Sequence, residues 1–288
     1  MNNTSDWFSA HYSDNVILSV KIKDSIVSLH SEYQKIEVLD SYDFGRMLVL
    51  DNVINVTERD EFIYHEMIAH VPMSTHPEPN DILVIGGGDG GTARELLKYP
   101  SVRKITLVEI DEKVIDAAKK FFPDLACSFR NKKLDLKIQD GIDFVEGCPE
   151  SSFDLVIIDS NDPVGPAKGL FSEEFYKRVH GILKENGLLI TQSESPRFNP
   201  HVFREIYQCY YKIFGKQQVF CFLAHIPTYP TGMWSFSYCS KDRNLHPLRS
   251  LNEDLIKRLI GKNALKYYNQ EVHAGAFALP NFVLDLLN

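Results

Sequence analysis

Residues 81–91 read Asp-Ile-Leu-Val-Ile-Gly-Gly-Gly-Asp-Gly-Gly, and the fold class follows from this stretch. The apolar run at 82–85 is short and unbroken, which is typical of a parallel strand that is buried on both faces. Gly86, Gly88 and Gly91 then fit the GxGxxG pattern, whose glycines allow a tight strand-to-helix turn and close approach of a ligand to the backbone. The stretch therefore predicts the first strand and helix of an α/β sheet, with a ligand site at the turn.

The pattern of a strand followed by a helix repeats after this stretch. Further short apolar runs stand at 105–108, 134–138, 155–158 and 187–191, and helical segments between them include 111–122 and 172–184. Such alternation predicts right-handed crossovers and a doubly wound parallel sheet. Two later β-type runs, 218–223 and 234–238, are expected to pair antiparallel at the edge of that sheet.

The segment before this α/β region has a different pattern and predicts a small, β-rich N-terminal domain. β-branched and apolar residues alternate or cluster in three segments separated by turn residues, which indicates an antiparallel sheet. The segments are 16–29, 33–39 and 46–50. Cap-like and acidic side chains at 57–61 predict that a helix begins there. Prolines then interrupt the chain, and we divide it into an N-terminal domain, 1–75, and a catalytic α/β domain, 76–288.

Composition limits the classes of function. The chain has 288 residues, of which 44% are hydrophobic and 24% charged, and these are ordinary proportions for a globular protein. A formal net charge of −8 without a run of cations makes it a poor candidate for a nonspecific nucleic-acid binder. We expect no membrane segment, since no apolar stretch approaches about 18 residues, and no signal peptide. Five cysteines without a CxxC pair predict free thiols and a cytoplasmic location.

Two acidic residues near the glycine turn indicate the kind of ligand. Glu109 closes the second strand, where a carboxylate accepts hydrogen bonds from ribose hydroxyls. Asp89 stands inside the glycine loop, where it would repel a pyrophosphate or an amino-acid carboxylate and attract an ammonium group. Decarboxylated S-adenosylmethionine, with adenosine at one end and an amine at the other, fits both acids. The alternatives are a carboxylate that only caps the helix and glycines that serve only the turn.

A second acidic loop follows the fourth strand of the predicted sheet. Residues 159–166 read Asp-Ser-Asn-Asp-Pro-Val-Gly-Pro, and ligands of open α/β sheets bind at the carboxyl ends of the strands. Asp159 and Asp162, in a segment stiffened by prolines, are expected to form a preorganised cation site. A metal site and simple turn-forming acids are the alternatives. We expect no metal, because no histidine or further acid has a supporting spacing.

These stretches together closely resemble the family of polyamine aminopropyltransferases that includes spermidine synthase. The matching segments in the α/β domain are 86–95 (GGGDGGTARE), 107–111 (LVEID), 140–141 (DG), 154–166 (DLVIIDSNDPVGP), 170–176 (LFSEEFY) and 192–196 (QSESP). Outside them, 50–70, 228–236 and 267–280 also match. The resemblance covers nearly the whole chain. It implies a Rossmann-like, methyltransferase-type doubly wound sheet beside a small N-terminal antiparallel β-domain.

The resemblance also implies roles for individual residues. The residues that would bind the nucleoside of methylthioadenosine or of the decarboxylated donor are Gln34, Gly86, Gly88, Glu109, Asp140, Gly141 and Pro166. The residues that would bind the polyamine are His65, Asp89, Asp159, Ser160, Asn161, Asp162 and Tyr229. The catalytic set would be Asp159 as proton acceptor, together with Tyr64 and Asp162.

The activity that the resemblance implies is transfer of an aminopropyl group from decarboxylated S-adenosylmethionine to putrescine, which yields spermidine and methylthioadenosine. The alternatives are another acceptor amine (agmatine, cadaverine or spermidine), methyl transfer from S-adenosylmethionine, and a noncatalytic binding protein on the same scaffold. No cofactor is expected, because the donor is a co-substrate whose sulfonium is already an activated leaving group. The resemblance further implies a homodimer or homotetramer.

Three positions depart from the pattern of the family. Asn52 and Asn55 stand where the family commonly has Gly and Gln, and Asn161 stands where Ser or Thr is usual. None of these changes removes an acidic side chain. We therefore expect them to affect the preference for one amine over another more than the activity itself.

Overall fold

The computed structural model describes residues 6–160, 169–230, 232–262 and 264–288. Its first part is an antiparallel sheet of five strands in which each strand pairs with the next. The strands are β1 (Trp7–Ser13), β2 (Val16–His30), β3 (Lys35–Ser41), β4 (Arg46–Leu50) and β5 (Val53–Thr57). The sequence predicted β2, β3 and β4. It did not single out β1 and β5.

A two-residue turn joins β4 to β5. Asp51 and Asn52 both have positive φ, 47° and 66°, which is the backbone geometry of the tight hairpin turns that match the twist of the strands. Asparagine is one of the few residues besides glycine that adopts this conformation readily. Asn52 can therefore stand where the family commonly has Gly without disturbing the hairpin.

The second sheet has seven strands in the order β11-β12-β10-β9-β6-β7-β8. Their bounds are β6 (Asp81–Gly86), β7 (Lys104–Glu109), β8 (Leu134–Ile138), β9 (Phe153–Asp159), β10 (Leu183–Gln192), β11 (Val219–His225) and β12 (Met233–Ser240). The strands from β10 to β8 are parallel. β12 pairs antiparallel with both β10 and β11. The predicted doubly wound sheet and its antiparallel edge are therefore confirmed.

The helices lie between and after these strands. They are α1 (Glu61–Met73), α2 (Gly91–Leu96), α3 (Glu112–Phe121), α4 (Pro123–Ala126), α5 (Gly141–Gly147), α6 (Glu173–Ile182), α7 (Pro200–Phe214), α8 (Glu253–Gly261), α9 (Gln270–Ala276) and α10 (Asn281–Leu287). The predicted segments 111–122 and 172–184 correspond to α3 and α6. Each of these helices begins after a capping side chain, Asp111 or Ser172, that accepts a backbone N–H bond. Within the described ranges, no helix has the length and apolar character needed to cross a membrane.

Both faces of the seven-stranded sheet are buried. Successive side chains of a strand point to opposite faces, so each strand contributes to an apolar cluster on either side of the sheet. On β6, Ile82 and Val84 pack into the apolar cluster that contains α1, while Leu83 and Ile85 pack into the cluster that contains α6 and α7. α1 thus packs against the second sheet, although it lies within the range 1–75. The division of the chain at 75 stays a prediction.

A third apolar cluster joins the N-terminal sheet to the α/β region. Ile36 and Leu48 of that sheet pack against Val114 and Phe122, which lie on α3 and at its end. This contact places the turn between β2 and β3 close to the carboxyl end of β7. The edge of the N-terminal sheet therefore forms one wall of the cleft above the glycine turn.

Candidate active site

A cavity of about 470 Å³ lies at the carboxyl ends of β6, β7 and β9, between the two sheets. All predicted site residues that the structure describes line it, namely Gln34, Tyr64, His65, Gly86, Gly88, Asp89, Glu109, Asp140, Gly141, Asp159, Ser160 and Tyr229. The predicted residues Asn161, Asp162 and Pro166 lie outside the described ranges. Segments that are far apart in sequence therefore meet in one place, as a shared site requires.

The glycine turn packs directly against the end of β9. Gly86 has a φ of 81°, and a Cβ atom at this position would lie 2.1 Å from the carbonyl oxygen of Asp159. The N–H of Gly87 donates a hydrogen bond of 2.9 Å to the same oxygen. Residue 86 must be glycine, both because of its backbone conformation and because of this close approach. The turn thereby fixes the position of the Asp159 backbone relative to the glycines.

Glu109 ends β7 at one end of the cavity. Its Oε1 accepts a 2.9 Å hydrogen bond from the N–H of Asp111, and its Oε2 would lie 2.8 Å from a Cβ atom on Gly88. Burial, with a smaller contribution from the Asp111 charge, raises the pKa of Glu109 to about 7. Gly88 thus leaves room for a carboxylate that can bind hydroxyl groups and that titrates near neutral pH.

Two further residues at this end, Gln34 and Asp140, are held at the N-terminal caps of α3 and α5. The Gln34 amide donates a 3.0 Å bond to Asp111, which ties the N-terminal sheet to the start of α3. Asp140 caps α5, since its Oδ1 accepts a 2.6 Å bond from the N–H of Ile142. Both side chains line the cavity in orientations that the backbone determines.

Asp159 lies at the centre of the cavity and is held by two uncharged donors. Its Oδ1 accepts a 2.7 Å bond from the Tyr64 hydroxyl, and its Oδ2 accepts a 2.7 Å bond from the Thr92 hydroxyl. Burial and then repulsion by the Asp89 carboxylate raise the pKa of Asp159. The result is a fixed carboxylate that is more basic than usual, which is the property of a general base. Sequence reasoning assigned no role to Thr92, although it lies in the quoted stretch 86–95.

Asp89 has partners on two sides. Its Oδ1 accepts a 2.6 Å bond from the N–H of Gly91 at the start of α2, and it lies 3.2 Å from Nε2 of His65. The N-cap residue of α2 is Gly90 and not Asp89, although the bond from Asp89 satisfies one N–H group in the first turn of this helix. A role of Asp89 toward an amine stays a prediction.

His65 is fully buried between two carboxylates, and its second partner was not predicted. Its Nδ1 lies 2.6 Å from Oε2 of Glu61, one helical turn earlier on α1. Burial alone would lower the pKa of His65, but the Asp89 and Glu61 carboxylates raise it to about 10. The imidazole is therefore a cation at neutral pH. The i,i+4 spacing of an acid and a histidine was the signal in the sequence that could have identified Glu61.

Aromatic side chains form the other end of the cavity. The Tyr229 ring lies 6.0 Å from the Tyr64 ring, and Trp234 packs edge-on against Tyr229 at 4.9 Å. The Tyr229 hydroxyl donates a 3.1 Å bond to the carbonyl oxygen of Asn55. The side-chain amide of Asn55 donates to Val53 on its own strand. The side chain of Asn55, which is shorter than the Gln that the family commonly has at this position, is thus directed along β5.

The end of β10 adds polar groups that sequence reasoning did not assign. Gln192 and Glu194 both line the cavity, and they belong to the matching stretch 192–196. Glu194 is buried with a φ of 68°, an uncommon conformation for a residue other than glycine. Its Oε2 accepts a 2.7 Å bond from Asn199. The aromatic end of the cavity therefore also carries a buried carboxylate.

These parts together define what the site can do. The cavity is lined by the glycine turn with Glu109 and by aromatic rings, and the Asp159 carboxylate is bonded to one of these rings, Tyr64. Among the described residues, no group of three His, Cys, Asp or Glu side chains is arranged to hold a metal ion. The geometry suits a reaction in which a nucleoside-linked carbon meets a cationic amine that first loses a proton.

Comparison with known proteins identifies close relatives. Residues 61–249 match the family described as spermine/spermidine synthase domain, and residues 6–58 match the family described as spermidine synthase tetramerisation domain. The polyamine aminopropyltransferase of Methanocaldococcus jannaschii is 48% identical over 280 residues, which cover 97% of this chain and 94% of that protein. The polyamine aminopropyltransferase of Alkaliphilus metalliredigens is 45% identical over 282 residues, with coverages of 97% and 96%.

Solved structures agree with these relatives. A spermidine synthase crystallised with the transition-state analogue AdoDATO superposes with a TM-score of 0.94 at 39% identity, and covers 100% of this chain and 96% of that one. Spermidine synthase from Thermotoga maritima gives a TM-score of 0.92 at 39% identity, with the same coverages. At such identity over nearly the full length, the relationship extends beyond the fold to the enzyme class, and the chain belongs to the spermine/spermidine synthase family of aminopropyltransferases.

Proposed function

We propose that the chain transfers the aminopropyl group of decarboxylated S-adenosylmethionine to putrescine and so makes spermidine and methylthioadenosine. The observation that carries the proposal is the position of Asp159. Its carboxylate lines the cavity shared by the glycine turn and the aromatic rings, which we propose as the nucleoside pocket and the amine channel, and its hydrogen-bond donors are two uncharged hydroxyls. A cationic amine that enters the channel therefore meets a fixed negative charge and a proton acceptor in one group.

Asp159 would act first on the amine. An alkyl amine has a pKa close to that of lysine, about 10.4, so it arrives protonated and cannot attack carbon. Transfer of one proton to Asp159 leaves a free amine within reach of the donor. Burial and the Asp159 charge raise the pKa of Tyr64 well above its ordinary value, so its hydroxyl stays protonated and keeps the carboxylate oriented.

The transfer itself is a single displacement. The amine nitrogen forms a bond to the aminopropyl carbon as the bond from that carbon to sulfur breaks, and the electron pair converts the sulfonium to a thioether. The product nitrogen carries the positive charge that sulfur loses. Because the sulfonium is already activated, we propose no metal and no cofactor, and alignment of the two reactants supplies much of the rate enhancement.

The nucleoside would occupy the end of the cavity formed by the glycine turn. Glu109 would accept hydrogen bonds from the ribose hydroxyls, and Asp140 and Gly141 would lie near the adenine, with Gln34 at the rim. Gly86 and Gly88 would allow the ligand to approach the backbone. We retain the assignment of Pro166 to this group from the family resemblance.

The amine would occupy the aromatic channel. We propose that Tyr229 and Ser160 line it, that Asp89 and His65 form its charged wall, and that Asn161 and Asp162 complete it as the resemblance implies. Ring faces attract ammonium groups, so Tyr64 and Tyr229 suit a diamine.

A comparison of acceptor amines tests the choice of putrescine. We expect kcat/KM with putrescine to exceed that with cadaverine, agmatine and spermidine by about tenfold or more, since one methylene in a fitted pocket is worth about 1–3 kcal/mol. The measurement is methylthioadenosine release at one fixed concentration of decarboxylated donor, with each amine varied in turn. A higher kcat/KM with any other amine would replace putrescine as the acceptor and leave the aminopropyl transfer intact.

We also propose that the protein is a homodimer or homotetramer that assembles through its N-terminal sheet. The match of residues 6–58 to a tetramerisation domain supports this. Trp7 and Ile17, on β1 and β2, are about half exposed, which suits a surface that a second copy covers. All five cysteines are unpaired, in keeping with a reducing cytoplasm.

A further inference from the structure

A row of alternating charges begins in the cavity wall, where Asp89, His65 and Glu61 all lie, and ends at Arg94. It starts with Asp89 and continues through His65 and Glu61 to Arg94. The His65 ring nitrogens face Asp89 at 3.2 Å and Glu61 at 2.6 Å. A ring with a carboxylate at each nitrogen must carry both protons to donate to both. His65 therefore has no ring nitrogen left for a direct bond to a substrate.

Glu61 is also held by Arg94, and its Oε2 is shared between Arg94 and His65. Arg94 donates two hydrogen bonds to Glu61, 3.0 Å from Nη1 to Oε1 and 2.8 Å from Nη2 to Oε2. The Nε of Arg94 donates to Glu95, which fixes the guanidinium in turn. This paired geometry leaves Glu61 little freedom to rotate. The position of His65 is thus set by Glu61 directly and by Arg94 through its bonds to Glu61.

The row has a consequence for the charge of the amine channel. Asp89, His65, Glu61 and Arg94 carry two negative and two positive charges, so their sum is zero. The bonds to the Asp159 carboxylate come from hydroxyl groups, so no cation is hydrogen-bonded to it. Asp89 is instead an oriented acceptor held by a buried cation, and its attraction for an ammonium group is largely offset by the rest of the row.

We propose that Glu61 and Arg94 are positioning residues for the amine half of the reaction, which act through His65 to hold Asp89 ionised and oriented toward the amine. His65 also packs tightly on the start of α2, where a Cβ atom on Gly91 would lie 2.3 Å from its ring. A shift of the ring would therefore move the loop that carries Asp89. The inference holds for whichever amine is the acceptor.

The test compares Glu61→Gln with Glu66→Gln. Glu66 lies on the same helix and is also buried, but its carboxylate binds the backbone N–H groups of 266–268, outside the cavity. Both variants lose one buried charge. We expect only Glu61→Gln to raise KM for the amine, by about tenfold or more. The dissociation constant of methylthioadenosine should stay within about threefold of wild type in both.

An NMR titration of the His65 imidazole separates a positioning role from loss of stability. The titratable or charged groups around it are Tyr64, Glu61, Asp89, Arg94 and Asp159. In the wild type the ring should stay protonated through pH 9. In Glu61→Gln the pKa of the His65 ring falls, because the Glu61 charge is lost, so the ring should lose its proton within the range pH 6–9. KM for the amine should rise as the ring loses this proton.

Arg94 provides a second, milder pair of variants. Arg94→Lys keeps the charge and Arg94→Gln removes it, so KM for the best wild-type amine should increase in that order. The proposal is overturned if Glu61→Gln matches Glu66→Gln in amine KM and in imidazole titration, or if KM falls when the row is broken. A Glu61→Gln protein that does not fold leaves the Arg94 pair to decide by the same readouts.

Discussion

Asp159→Asn should remove nearly all transfer activity while the protein still folds and still binds methylthioadenosine. The substitution keeps the size and shape of the side chain, but an amide cannot accept a proton from the amine and has no charge to attract it. We expect kcat to fall by about 10³-fold, within the range of about 10²–10⁴ that a general base contributes. The measurement is methylthioadenosine release at saturating donor and amine.

The pH dependence of the wild type provides a second readout for Asp159. Burial and the Asp89 charge raise the pKa of this carboxyl, and only its ionised form accepts a proton. The rate should therefore fall as pH decreases through the raised pKa, and the residual rate of Asp159→Asn should lack this limb. Asp143→Asn, the same change at an exposed position on α5, should behave as wild type. A folded Asp159→Asn protein with more than about a tenth of wild-type kcat would exclude the proposed role.

Glu109→Gln should weaken nucleoside binding by about 10–100-fold, because hydrogen bonds to a charged acceptor are worth about 1.5–3 kcal/mol each. In the wild type the pKa of Glu109 is raised to about 7 by burial. Its carboxylate ionises as pH rises through 7 and can then accept from both ribose hydroxyls. Affinity for methylthioadenosine should thus increase about tenfold from pH 6 to pH 8.

Calorimetric titration with methylthioadenosine at a series of pH values measures both effects. The variant should show weak binding without the pH dependence, since an amide does not ionise. Glu112→Gln provides the matched control, because it makes the same change at the exposed first residue of α3. Equal wild-type affinity at pH 6 and pH 8 would mean that Glu109 does not bind the ribose in its ionised form.

Local patterns in the sequence were sufficient to predict most of the fold. All the strands of the seven-stranded sheet were predicted, and the central ones, such as β6 and β9, most directly, because a strand buried on both faces needs an unbroken apolar segment. The helices α3 and α6 were bounded correctly to within a residue or two by capping side chains. β5 escaped prediction because its five residues follow a tight turn that is itself recognisable only by its backbone conformation. The C-terminal helices, α8 to α10, are short and were not assigned.

The acids of the candidate site could be predicted, but their partners could not. Glu109 and Asp159 end their strands and Asp89 follows one, and topology brings such positions together. The contact of His65 with Asp89 depends on how α1 packs against the start of α2. The distance between these two helices cannot be inferred from the periodicity of the sequence. The prediction that Asp89 attracts an ammonium group therefore did not include the cation beside it.

The proposed chemistry requires a cavity that favours a ligand with an amine and no carboxylate. A comparison of two donors tests this requirement. S-adenosylmethionine differs from its decarboxylated form by one carboxylate, which would lie near Asp89. Two like charges about 4 Å apart repel by about 4 kcal/mol at an effective dielectric constant of 20, and the His65 charge offsets part of this. Competition binding to the purified protein should favour the decarboxylated form by about a hundredfold. Equal affinity for the two donors, or methyl transfer from S-adenosylmethionine, would contradict the proposal.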